Sequence, residues 1–152
     1  MNDLIWRAVK RAEIPAVKQP VGLMQDGKRP DGATLIPWAR DKHLAWDVTV
    51  PDTYVDSHIH DTAIQAGAAA DRAAINKCAK YRPLENSHIF FPVSIEIGGS
   101  WNENAIELVQ EIRKRITVIT EDSKETFFLF QRLSLALQRG NVVSFVGTFP
   151  TE

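Results

Sequence analysis

Residues 28–50 read KRPDGATLIPWARDKHLAWDVTV, and the pattern in this stretch decides how the rest of the chain is read. Two apolar runs, 33–38 (ATLIPW) and 43–50 (HLAWDVTV), flank the polar Ala39-Arg40-Asp41-Lys42, which is the spacing of a β-hairpin. Side chains alternate between the faces of a strand. Leu44, Trp46, Val48 and Val50 therefore share one face, and His43, Ala45, Asp47 and Thr49 share the other. Asp31 lies just before the first strand and Asp47 toward the far end of the second. Antiparallel pairing through a four-residue turn brings those two ends together, so two carboxylates converge at one corner of a sheet. Asp47 interrupts an otherwise apolar segment, where a carboxylate is costly unless paired or metal-bound. Taken singly, each acid has an ordinary reading, Asp31 at a turn and Asp47 facing water on an open sheet. Placed at the two ends of one hairpin, they favour a shared site.

Outward from the hairpin, residues 2–12 read as a helix that Asn2 or Asp3 can cap, with an apolar stripe of Leu4, Ile5, Ala8, Val9 and Ala12, stopped by Pro15. Residues 16–24 read as extended, interrupted by Pro20. Pro51 ends the second hairpin strand. An Ala-rich helix is expected over 62–82, with Ile64, Ala68, Ile75 and Cys78 as its sheet-facing stripe and its lysines on a flank. Residues 88–97 (HIFFPVSIEI) read as a buried strand closed by Gly98-Gly99. Two helices follow, over 102–119 (capped by Asn102) and 123–139. No repeat or linker interrupts this order, which predicts one α/β domain over 1–152 with a mixed sheet and C-terminal helices.

Composition sets limits on function. No run of 18 apolar residues exists to span a bilayer. Cys78 is the only cysteine, which excludes an intramolecular disulfide and a Cys-based zinc site and suits a reducing compartment. The net charge of -1 means that a nucleic-acid partner must be gripped by local clusters of cations.

Two converging carboxylates suit Mg²⁺, which takes oxygen ligands and is held by one or two carboxylates with waters and substrate phosphates. Such an ion polarises a phosphodiester and lowers the pKa of a bound water. Chemistry of that kind also needs a cation. Lys77 and Lys80 supply one from the 62–82 helix, with Tyr81 beside them; solvated lysines near a helix C-terminus are the plainer account of each alone. Lys28 and Arg29, adjacent to Asp31, are the best-placed phosphate contacts.

GKRPDG (27–32), the strand after it, WDVT (46–49) and a downstream helix ending KxxKY resemble the restriction-like endonuclease domain of non-LTR retrotransposons, a branch of the PD-(D/E)xK nucleases. The likeness extends to NDLIWRAV, PVSIEIGG and ETFFLFQRLSLALQRGN, and so spans nearly the whole chain; it looks closest to transposon-derived reading frames of invertebrate genomes. The resemblance implies an α-β-β-β-α-β core and Mg²⁺- or Mn²⁺-dependent nicking of target DNA. It further implies a partner reverse transcriptase module in a longer polyprotein and a nuclear location. Asp31 matches the PD aspartate and Asp47 the second acid, with Val48 counted beside them as metal-binding. Lys77 or Lys80 stands for a lysine that in this branch migrates onto the helix. Tyr81, with Lys28 and Arg29, falls on the nucleic-acid side. Thr49 stands where the motif has lysine, which leaves open a second reading: an inactive remnant of the fold serving as a binding or structural module.

Other polar groups have weaker claims. His58 and His60, in the DSHIHD stretch (56–61), have zinc-capable spacing that Asp52 and His43 could approach, but no third distant His or Cys cluster completes a site. A polar surface loop leading into a helix cap is the stronger account, and a small-molecule enzyme built on them ranks last. Glu96 is an acidic outlier in an apolar strand, a candidate extra ligand. Glu13 and Lys18 could line the same cleft. Arg113-Lys114-Arg115 lies among glutamates at helical spacing, which makes a solvated, paired face the stronger account.

Overall fold

The computed structural model describes residues 1–51, 67–97, 99–120, 131, 132 and 135. Helix α1 (Asn2–Arg11) is followed by strands β1 (Ala16–Lys18), β2 (Gly32–Ala39) and β3 (Lys42–Thr49). Helix α2 (Ala68–Lys80), a 3-10 turn at Arg82–Leu84, strand β4 (His88–Ser94) and helix α3 (Glu103–Thr120) complete the described elements. The strands form one mixed sheet in the order β1-β2-β3-β4, antiparallel across the first two pairings and parallel between β3 and β4. The fold is α/β, as the order of elements predicts. Of the helix expected over 123–139, residues 131, 132 and 135 are described and are helical.

The alternation read along β3 places the layers. Leu44 and Trp46 are fully buried on the face covered by α1 and α3, where they join Ile5, Val9, Val93, Ile95, Leu108 and Ile112. Ala45 faces the other way, packed with Tyr81 and Leu84 at the end of α2. Asp47 shares the Ala45 face and so looks toward α2. Asn102 caps α3, its Oδ1 accepting from the Ala105 N–H (3.3 Å) and from the Ser94 N–H (2.8 Å), as its position in the sequence suggests.

Three expectations need correction. Asn2 does not cap α1: Met1 holds the cap position, no side chain caps the helix there, and the Asn2 amide is engaged elsewhere. β1 ends at Lys18, well short of residue 24. Gln19 takes a left-handed φ of 47°, and Pro20 has no N–H with which to continue a ladder. The hairpin turn has two residues, not four. Arg40 and Asp41 sit at φ 49° and 58°, the left-handed pair that a tight hairpin turn requires.

That tighter turn has a consequence for register. A regular ladder continuing from Ala39↔Lys42 would set Thr34 against Asp47. The ladder instead shifts between Ala39, Pro37 and Ala33, so that Gly32 pairs with Trp46 and Asp31 arrives beside Asp47. Thr34 holds the bulge closed. Its Oγ1 donates to the Ile36 carbonyl (2.8 Å) and accepts from the Leu44 N–H (2.9 Å), and its own carbonyl accepts from His43 Nδ1 (2.8 Å). Thr34 is 2% exposed and Leu44 fully buried, so Thr34→Val leaves the Leu44 N–H without that acceptor where water cannot substitute. The expected loss is about 1–3 kcal/mol of folding free energy, read from chemical denaturation.

Candidate functional site

The corner where β2 begins and β3 ends gathers five groups. Asp47, 4% exposed, accepts the Asp31 N–H on Oδ1 (3.1 Å) and meets the Lys77 ammonium on Oδ2 (2.7 Å). Asp31 turns its own Oδ2 to the Val48 N–H at 2.6 Å. In an extended strand the N–H and C=O of one residue point to the same edge, so the Val48 carbonyl faces the side on which the Asp31 carboxylate lies. Tyr81, at the end of α2, donates from its hydroxyl to the Arg29 carbonyl (2.9 Å) and so pins the loop that leads into Asp31.

Electrostatics follow from this crowding. Burial pushes the Asp31 carboxyl above the ordinary aspartate value. The Val48 N–H pulls against that rise, the Asp47 charge adds to it, and Lys77 offsets part of it. An acid whose folded-state pKa is raised is stabilised in its protonated form. Its contribution is therefore present at low pH and is lost as pH rises from the ordinary aspartate value through the raised one. Replacing Asp47 by Asn removes the neighbouring charge, and the Asp31 midpoint, followed by carboxyl-carbon NMR, is expected to fall relative to wild type. An unchanged midpoint would show that the two carboxyls do not interact. The Tyr81 hydroxyl is pushed up to about 12, by burial and then by the charges of Asp47 and Asp31, so it remains a hydrogen-bond donor at neutral pH.

Of the two lysines that the sequence leaves open, Lys77 reaches the carboxylates. Lys80 is exposed, with its ammonium 5.1 Å from the Tyr81 ring centroid. The reason is a rotation of α2 relative to the face expected for it. Ala70, Ala74, Lys77 and Tyr81 line the sheet-facing side at helical spacing, whereas Ile75 is 68% exposed and Cys78 lies on the surface. Small alanines let the helix approach closely, and that approach puts the Lys77 side chain within reach of β3.

Other expected residues lie elsewhere. Tyr81 is 2% exposed with its ring tilted against Phe90, so its ring offers no face to a nucleic acid; its role runs through Arg29. Lys28 and Arg29 are exposed beside Asp31, and Lys28 pairs with Asp26 at 3.3 Å. Glu96 is buried, and its Oε1 accepts the Ala70 N–H (3.1 Å) in the first turn of α2. It thus satisfies an open helix N-terminus, which accounts for an acid in an apolar strand. Lys18 pairs with Asp3 and lies over Trp6, and Glu13 is exposed at a left-handed φ. Lys114 pairs with Glu111 at 3.1 Å, as the helical spacing suggests, whereas Arg115 is half-buried, donating to the Trp38 carbonyl (2.8 Å) and lying over the Trp38 ring. His43, at the start of β3, stacks at a tilt on His88. His58, His60 and Asp52 fall outside the described residues.

Among the described residues no group of three or more His, Cys, Asp or Glu side chains gathers at one point. A cation placed at this corner would have two carboxylates and main-chain oxygen to draw on, a donor set of hard oxygens that would fit Mg²⁺ or Mn²⁺ better than a thiophilic metal. Sequence reasoning missed Asn2, whose amide bonds both to the Asp31 carbonyl (3.1 Å) and to the Trp46 indole (2.8 Å). It also missed Thr34, whose side chain holds the bulge. An asparagine at a helix start reads as a cap, and nothing local distinguishes one spent on a distant strand.

No family model matches the chain, and no curated protein matches it.

Proposed function

We propose that the chain is a metal-dependent DNA endonuclease domain of the PD-(D/E)xK kind, retrotransposon-derived, which nicks target DNA. The observation that carries the reading is the convergence of Asp31, Asp47 and Lys77 on one sheet corner, from the segment entering β2, from β3 and from α2. The element order α-β-β-β-α-β and the mixed sheet also support it.

On this reading Asp31, Asp47 and the Val48 carbonyl hold Mg²⁺ or Mn²⁺. The bound ion supplies Lewis-acid polarisation of the phosphodiester and a water of lowered pKa. Lys77 presents its ammonium to the same corner, where it orients the attacking water and offsets negative charge that develops on the phosphate. It takes the part that Thr49, whose hydroxyl is buried and has no hydrogen-bond partner among the described residues, leaves open on the strand. Tyr81 keeps its proton and fixes the Arg29 main chain. Lys28 and Arg29 are thereby presented beside the acids, at the height where a DNA backbone would pass. The partners are DNA and a reverse transcriptase module of a longer polyprotein, and the location is nuclear. No described helix is long and apolar enough to cross a membrane.

The test is conversion of supercoiled plasmid to open circles by the purified chain with Mg²⁺ or Mn²⁺. Nicking that disappears with EDTA is expected. Mn²⁺ binding with no nicking would favour the inactive remnant that Thr49 suggests, and a chain that neither binds Mn²⁺ nor nicks would overturn the reading.

A further inference from the structure

Helix α1 reaches the acidic corner through its first residue. Asn2 Nδ2 donates to the Asp31 carbonyl at 3.1 Å, and Asn2 Oδ1 accepts from the Trp46 indole N–H at 2.8 Å. One bond therefore holds the main chain of the first acid. The other holds the side chain of the residue immediately before the second. Trp46 is fully buried, and its ring lies directly against Gly32, the residue after Asp31. The Asp31-Gly32 segment is thus clasped between the Asn2 amide and the Trp46 ring, while the Gln19 N–H (2.9 Å) takes a further share of the Asp31 carbonyl.

The chemistry of this link is narrow. The group in this position must donate to a carbonyl and accept from an indole N–H at once. Carboxylates cannot donate, ammonium and guanidinium groups cannot accept, and an aliphatic side chain does neither. Asparagine satisfies both with a short, stiff side chain, and here it does so in place of capping its own helix.

We propose that Asn2 is a positioning residue for the Asp31/Asp47 pair, setting the separation of the two carboxylates and hence the affinity of the corner for a divalent cation. The inference rests on the metal-binding reading of that pair. Asn2 contacts neither cation nor DNA; it acts through the Asp31 main chain and Trp46.

The experiment measures Mn²⁺ affinity by calorimetry together with nicking kinetics, for wild type, Asn2→Asp, Asn2→Ala, Asn2→Gln and Asp3→Asn. Asn2→Asp keeps the shape and the acceptor but loses the donor. Asn2→Ala loses both. Asp3→Asn disturbs the ion pairs of the same helix turn, with Arg7 at 2.9 Å and with Lys18, without touching the corner. Loss of a group that orients metal ligands costs about 10–100-fold in metal affinity. Asn2→Asp and Asn2→Ala are expected to fall in that range, with KM for DNA unchanged and nicking recovered at saturating Mn²⁺. Asn2→Gln is expected to regain part of the affinity, and Asp3→Asn to match wild type. If Asn2→Asp folds and binds Mn²⁺ within twofold of wild type, the inference is overturned while the nuclease reading stands. If wild type binds Mn²⁺ without nicking and the Asn2 variants bind it weakly, the nuclease reading falls and the inference survives. If wild type does not bind Mn²⁺, both fall.

Discussion

Replacing Asp47 by alanine is expected to lower plasmid nicking by at least about 10³-fold, since the loss of even one well-placed charge-stabilising donor costs 10²–10³-fold in enzymes that depend on preorganised electrostatics. The acceptor for the Asp31 N–H and the partner of the Lys77 ammonium go at once, and with them the oxygen that the proposed cation would use. Asp47→Asn separates chemistry from folding, because its side-chain oxygen still accepts the Asp31 N–H while the charge is gone. It is expected to be as inactive as alanine and to melt closer to wild type. The stability cost of Asp47→Ala is about 1–2 kcal/mol, below the 3–5 kcal/mol of a fully buried pair, because Lys77 is 26% exposed and can turn its ammonium to water. Lys77→Met is expected to lose about 10²-fold in rate and Lys80→Met little, since Lys80 has no contact with either acid. Rates are read from loss of supercoiled plasmid under Mn²⁺, and stability from thermal melts of the same preparations. Nicking by Asp47→Ala within tenfold of wild type would rule out the metal assignment.

The acid pair was legible in the sequence because strand alternation is a short-range rule. Asp47 falls on the Ala45 face whatever the rest of the chain does, and a hairpin must bring its open ends together. The helix face was not legible, because hydrophobicity and burial part company where close approach matters. Ile75 is the bulkiest apolar residue of α2 and is exposed, while Ala69, Ala70 and Ala74 are buried. A helix oriented by its largest apolar side chains turns Ile75 inward and carries Lys77 off the sheet, the opposite of what the alanine face dictates.

The convergence itself came out as expected, but by a different route. In the sequence, antiparallel pairing through a four-residue turn is what brings Asp31 toward Asp47. The chain uses a two-residue turn and a bulge that inserts extra residues into β2. A turn's length shows in its polar residues. A bulge depends on which side chain replaces the missing ladder bonds, and Thr34 carries no local mark of that task. Glu96 illustrates the same limit: its partner, the Ala70 N–H, lies 26 residues away in sequence.

Gly32→Ala is expected to be the most damaging alanine replacement among the described glycines. A Cβ built on Gly32 would lie 2.0 Å from Trp46 Cζ2, 2.3 Å from Cε2 and 2.5 Å from Cη2, well inside van der Waals contact. The ring cannot retreat easily, because Trp46 is fully buried between α1 and the sheet and its indole N–H is tied to Asn2. Either Trp46 leaves its rotamer or β2 lifts from β3, and overpacking of this severity costs about 3 kcal/mol. For a chain of this size that corresponds to a fall in Tm of roughly 6–12 °C. Lifting β2 also moves Asp31 away from Asp47, so Mn²⁺ affinity is expected to fall more than stability alone explains. A double-mutant cycle with Trp46→Leu isolates the clash: with the indole gone, Gly32→Ala should cost less than about 1 kcal/mol, far from additive with the single changes. Melts of the four proteins check this, and additive costs would show that Gly32 is required for its backbone and not for its contact with the indole. The choice of glycine after Asp31 is then explained by a close approach: the ring needs that space to lie against the strand, and the strand needs the ring to deliver its aspartate to the corner.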